Sequence, residues 1–358
     1  MNRLLRFQGK VAARAGAALI TSPQNQYYLS RFSFTDGMLL VFADAAYLLT
    51  DFRYAEAARA KADRGFEVIC PKDGMMAAVG DLLSRRGVDT LLLEEGDVSI
   101  ATHARLRAAM PCVELLAGAG ELLSQMRAVK DAEELAAMRG AQELTDAAFS
   151  HILDYLAPSV REVDVALELE LFMRRNGADG VAFDTIAVSG AASALPHGVP
   201  RDIPLEKGFL TMDFGARLGG YCSDRTRTVV IGRADEEMKR LYATVLRAQD
   251  EALSMLHAGV SCRAADAAAR DVIEGAGYHG AFGHSLGHGV GIDIHEAPNL
   301  SPKAPEGLLL LPGHVVTVEP GIYLEGKYGC RIEDMVAVGE DGSIYNFTHS
   351  TKELLEIV

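Results

Sequence analysis

Two aspartates in the stretch 212–224, MDFGARLGGYCSD, are placed to share divalent cations. A two-residue turn centred on Leu218 and Gly219 would set Asp213 and Asp224 directly opposite one another on one face of a hairpin, with Cβ atoms about 5 Å apart. Carboxylates that close repel, and two cations about 3.5–4 Å apart, the spacing of two-metal hydrolases, would relieve both. A second carboxylate pair follows. In EPGIYLEGKYGCRIED, Glu319 and Glu333 lie symmetrically about Gly326, so a three-residue loop over 325–327 would bring them face to face, although Pro320 and Gly321 interrupt the strand. Between the pairs, HSLGHGVGIDIHE carries His284, His288 and His295. Four carboxylates and an imidazole form an oxygen-rich set that suits Mn²⁺, Co²⁺, Fe²⁺ or Zn²⁺ better than a thiolate zinc site. Taken singly, each acid also reads as an ordinary turn-flanking carboxylate and each histidine as a satisfied structural one.

The elements around these residues must hold them in register. Leu210, Met212 and Phe214 alternate with Thr211, Asp213 and Gly215, the period of a half-buried strand with the aspartate on its less apolar face. His284 and His288 have the i, i+4 spacing of ligands on a helix, but Gly287, Gly289 and Gly291 oppose a helix and favour a loop running into a strand over 291–295. Ahead of the aspartates, Asp131 with Glu134 predicts a capping box on a long helix. Ser159 with Glu162 repeats the signal before a second helix that Gly177 ends. Two more helices are predicted near 235–258 and 263–274. The first third alternates strands (17–21, 37–51 with a turn near Ala43, 66–70, 89–95) with helices (52–64, 75–86, 100–109), a small α/β domain ending near Gly120.

Length and composition fit this division. The 358 residues suit two domains, and 49% apolar against 23% charged residues is globular composition. A net charge of −14 argues against nucleic acid or an anionic membrane as partner. No run approaches the 18 or so apolar residues of a membrane span, and the start lacks a cleavage pattern of the secretory kind. Five cysteines without a CxxC pair read as reduced thiols of a cytoplasmic protein; Cys222 and Cys330 fall near the carboxylates, but oxygen and imidazole donors suffice without them.

The order Asp213, Asp224, His288, Glu319, Glu333, in the contexts DFG, YCSDRTRT, GHGVG, VEPGIY and RIED, resembles the pita-bread metallopeptidases, and within them the Xaa-Pro peptidases, aminopeptidase P and prolidase. FDTIAVSGAASALPHG at 183–198, VKDAEELAAM at 129–138 and YLLTDFRY at 47–54 extend the resemblance over nearly the whole chain. It implies a creatinase-type amino-terminal α/β domain over 1–124 and an α+β pita-bread catalytic domain over 125–358, arranged as a homodimer.

It further implies that Asp213, Asp224, His288, Glu319 and Glu333 bind two divalent ions, foremost Mn²⁺, with Asp224 and Glu333 bridging. Glu319 would also take the proton of the attacking water. His197 and His295 match the family's substrate-side histidines, His284 matches a substrate-facing or supporting histidine, and Arg331 is expected to orient Glu333 or a histidine. The implied substrates are proline-containing peptides, cut between the first residue and proline. Methionine aminopeptidase, metal-free creatinase and a non-catalytic relative are weaker matches, since the amino-terminal domain is present and all five ligands are intact. Prolidases of the archaeal type carry an arginine directly after HExP; here Asn299 stands there, and Lys303 is expected to be solvated. The resemblance therefore leans toward an aminopeptidase that tolerates residues beyond proline, with the Xaa-Pro dipeptidase as the alternative.

Overall fold

The aspartate-bearing hairpin is set by two glycines. The structure, a computed structural model, describes residues 2–62 and 65–358. Gly219 and Gly220 both have positive φ, 57° and 78°, the two left-handed central positions of a tight hairpin turn. The turn thus falls one residue later than expected, and Leu218 pairs with Tyr221, Arg217 with Cys222 and Asp213 with Thr226. Asp213 and Asp224 are therefore not directly opposed but diagonal. The two-residue shift of partner preserves the face, because side chains alternate with period two.

The other hairpin has the expected register. Val318 pairs with Asp334 and Gly321 with Arg331, so Glu319 lies across from Glu333.

The chain divides into two compact units, 1–127 and 128–358. The expected boundary after residue 124 lies inside the helix Ala119–Ala128. In the first unit a six-stranded sheet is built on the fully buried strand Ala17–Ile20, antiparallel to Gly37–Phe42 and parallel to Thr90–Leu93. Burial on both faces explains its continuous apolar sequence. The helix expected over 52–64 runs Phe52–Lys61, and positions 63 and 64 lie outside the described residues. The helices Arg3–Ala12 and Pro23–Ser30 and the strand Glu114–Ala117 were not anticipated.

In the second unit two pairs of helices, Ala132–Tyr155 with Glu162–Arg175 and Glu236–Met255 with Cys262–Gly275, each cover mainly antiparallel strands. The first pair shares a core with Leu210, Met212 and Val229 of the aspartate hairpin, the second with Val316, Val318 and Val336 of the glutamate hairpin. Both carboxylate-bearing hairpins are thereby backed by packed helices. Asp131 and Glu134 form the predicted capping box. Ser159 does not cap the next helix; Arg161 occupies that position, and Glu162 turns inward to accept from Ser189 N–H and Oγ, both at 2.7 Å, and from Arg201. The segment 291–295 is not a strand but the bend between two: Gly287–Gly289, expected as loop, pairs with Glu296–Leu300 and with Val315–Val318. A Cβ on Gly287 or Gly289 would meet a neighbouring strand's carbonyl oxygen at 2.0 or 2.3 Å, so the glycines serve close strand packing there.

Candidate metal centre

Asp224, His288 and Glu333 each offer a ligand atom, all within 4.8 Å of one another. Donors about 2.0–2.2 Å from one ion lie at nearly this separation. His288 Nε2 stands 3.5 Å from Asp224 Oδ2 and 3.4 Å from Glu319 Oε1. The Gly289 carbonyl, 3.1 Å from His288 Nδ1, assigns the ring proton to that nitrogen and leaves the Nε2 lone pair facing the carboxylates. Burial pushes the His288 pKa down to about 4, so the ring is neutral and able to ligate at pH 7.

The acids crowd one another. Burial, then the neighbouring Asp213 and Glu319, raise Asp224 well above the usual carboxylate range; burial, then Asp224, do the same to Glu333. Burial pushes Glu319 up to about 8. Asp213 presents one oxygen to Arg331 at 2.6 Å, while its Oδ1 is buried with no hydrogen-bond partner. An orphaned buried carboxylate oxygen beside three acids that resist ionisation is what a cation-binding set looks like without its compensating charge. The donor set fits divalent ions of the harder kind.

Supporting residues fix these groups. Thr226 Oγ1 donates to Glu333 Oε2 at 2.7 Å and accepts from Arg331 Nε at 2.9 Å. Thr317 accepts from His288 N–H and donates to Glu319 Oε1. Arg331 reaches Asp213, Thr226, the Tyr323 hydroxyl at 2.7 Å and the Pro196 carbonyl, so it touches Glu333 only through Thr226. Tyr323 in turn donates to His284 Nε2 at 2.9 Å, and His284 Nδ1 is occupied by the Ser285 carbonyl. Sequence reasoning missed Thr226, Thr317 and Tyr323. Their nearness to RTRT and EPGIY was the one available signal.

The remaining histidines differ. His197 and His295 are exposed, line the same cavity as the carboxylates, and take no hydrogen bond from the described residues through their rings. The His295 ring meets His288 edge-on, 4.4 Å between centroids. The cavity has a volume of about 1070 Å³ and runs from the acids to the helix Glu162–Arg175, with Phe183, Ile186, Val199 and Ile294 on its apolar wall. Cys222 and Cys330 do not line it; burial pushes both thiols up to about 12, and Cys222 Sγ donates to the Ile292 carbonyl.

Comparison with known proteins identifies the family. Metallopeptidase family M24 matches residues 136–340, and the Creatinase/Prolidase N-terminal domain matches 3–129. An uncharacterized peptidase of Bacillus subtilis, YqhT, is 40% identical over 94% of each chain. The Xaa-Pro dipeptidase of Pyrococcus horikoshii is 33% identical over 95% of this chain and 94% of its own. Among solved structures, the Xaa-Pro dipeptidase from Bacillus anthracis superposes with a TM-score of 0.94 at 38% identity, covering 99% of both chains. The X-Pro aminopeptidase from Thermotoga maritima gives 0.91 at 36%, covering 98% of this chain and all of its own. The fold is thus a creatinase-type amino-terminal domain followed by a pita-bread catalytic domain.

Proposed function

Since the chain belongs to metallopeptidase family M24, we propose that it is an Xaa-Pro aminopeptidase, cutting between the first residue and proline in peptides that continue beyond the proline. Asp213, Asp224, His288, Glu319 and Glu333 would hold two divalent ions, foremost Mn²⁺ given the oxygen-rich set, with Co²⁺, Zn²⁺ and Fe²⁺ as substitutes. When bound, such ions supply Lewis acidity that polarises the scissile carbonyl and acidifies a water.

The rest is the work of the chain. Glu319 Oε1 is held by Thr317, which leaves Oε2 to take the proton of the attacking water and return it to the proline nitrogen. His197 and His295, with uncommitted ring nitrogens in the cavity, donate to the carbonyl oxygen as charge develops on it. His284, bonded at both nitrogens, supports Tyr323 and Arg331 instead of meeting substrate. The proline nitrogen carries no N–H, so its peptide bond is selected by shape, and Phe183, Ile186 and Ile294 offer an apolar wall for the ring.

The observation that carries the choice of aminopeptidase is the cavity lining. Arg331 is the only arginine or lysine among the described residues that line it, and it is committed to Asp213. Asn299 lines the cavity without a charge, and Lys303 is exposed and outside it. A strict dipeptidase would need a fixed cation for the proline carboxylate. The second reading, an Xaa-Pro dipeptidase, is favoured by the relatives that carry that name. Five free thiols support a cytoplasmic location, and a homodimer follows the family expectation. The test is hydrolysis of Xaa-Pro and Xaa-Pro-Yaa with the same first residue under saturating Mn²⁺. Faster cleavage of the tripeptide is expected, and cleavage of the dipeptide alone would overturn the aminopeptidase reading.

A further inference from the structure

A lysine and a glutamate 166 residues apart form a buried ion pair beside the loop that bears His295. Lys130 Nζ lies 3.4 Å from Glu296 Oε2, with the two side chains 1% and 6% exposed. A buried pair of this kind is weak evidence of stability, since apolar residues of similar volume hold a fold as well. What it does hold is a position.

Glu296 Oε1 accepts from Asp293 N–H at 3.0 Å, and the Asp293 carbonyl accepts from Gly291 N–H at 3.0 Å. The Gly291 carbonyl accepts from Cys222 N–H at 2.8 Å, two residues before Asp224. A Cβ on Gly291 would meet the Glu296 carboxyl group at 2.5–2.6 Å, so the loop is wrapped closely around that carboxylate. At the other end, Lys130 N–H donates to the Gly313 carbonyl and its Nζ to the Ala128 carbonyl, which fixes the cation. His295 itself is exposed, and no described residue hydrogen-bonds its ring. Its placement therefore comes from the backbone of 290–296 and the edge contact with His288.

We propose that the Lys130–Glu296 pair is the tether that positions His295 beside His288. Its bearing on rate rests on the reading of His295 as a group that meets substrate. Lys130 and Glu296 are positioning residues, acting through His295.

The experiment is Lys130→Met, measured by amide exchange, by histidine-labelled NMR and by kinetics. The expected result is exchange at least about tenfold faster at Gly291 and Asp293, loss of the ring contact between His288 and His295, and unchanged bound metal. Turnover should fall about 10- to 100-fold with KM within about threefold, the scale on which a misplaced group costs rate. Combined with His295→Ala, Lys130→Met should slow the enzyme no further, because both remove the same contribution. Unchanged exchange and ring contact, or losses that multiply with His295→Ala, would overturn the proposal. If Lys130→Met does not fold, Lys130→Met with Glu296→Leu removes the pair without stranding a charge and is read the same way. Should the wild type cleave no Xaa-Pro peptide, the proposed function fails, while exchange and the ring contact still decide the tether.

Discussion

Thr226 donates its hydroxyl proton to Glu333 Oε2 over 2.7 Å, and the same hydroxyl oxygen accepts from Arg331 Nε. One buried side chain thus sets both the rotamer of an acid in the centre and the arginine that pairs with Asp213. Thr226→Val keeps the shape and removes the hydroxyl. We expect it to fold and to bind Mn²⁺ about 10- to 100-fold more weakly, the usual cost of losing a partner that orients a ligand. Metal titration of the purified variant checks this; unchanged affinity would mean that packing alone orients Glu333.

His197 and His295 line the cavity with ring nitrogens that no described residue engages. His197→Ala and His295→Ala should each retain the wild-type metal content and lose about 10²- to 10³-fold in kcat, as expected when a donor to a developing oxyanion is removed. Elemental analysis beside steady-state kinetics separates this from loss of metal.

Glu162, with no exposed side-chain area, anchors the segment that carries His197 through Ser189 and Arg201. Burial alone would raise its pKa, but the hydrogen bonds from Arg201 and Ser189 outweigh it and hold the carboxyl below its ordinary 4.5. A carboxyl depressed in the folded state contributes stability above its unfolded pKa and loses it as pH falls through the folded value. Glu162→Gln should therefore cost about 1.5–3 kcal/mol near pH 7, the range for hydrogen bonds to a charged group. The gap from wild type should narrow steadily below pH 4.5. Thermal melts across that range read both signs.

The order and flanks of the five candidate ligands were legible because each is a local signature, and the Glu319–Glu333 register followed from one loop about Gly326. The Asp213–Asp224 register was misread for a physical reason: a tight turn needs two positive-φ residues, and Gly219–Gly220 supplies both where Leu218–Gly219 supplies one. The helix Arg3–Ala12 is obscured in the sequence because its basic residues also suit a leader, while its buried residues Leu4, Phe7 and Val11 keep helical spacing. The roles of Thr226, Tyr323 and Lys130, and the inward turn of Glu162 in place of the expected cap, were not legible. Each takes its meaning from a partner far off in sequence, and no local pattern distinguishes a buried lysine paired with Glu296 from a solvated one.

In the proposed function four carboxylates and His288 bind two ions that make this chain a peptidase. It is tested most directly by stripping the protein with a chelator and returning Mn²⁺ stepwise while following both bound metal and hydrolysis of Xaa-Pro-Yaa. The stripped protein should show no turnover, and activity should rise to a plateau as occupancy reaches two ions per chain. Asp224→Ala and Glu333→Ala should stay inactive throughout. Full activity without metal, or a plateau at one ion per chain, would contradict it.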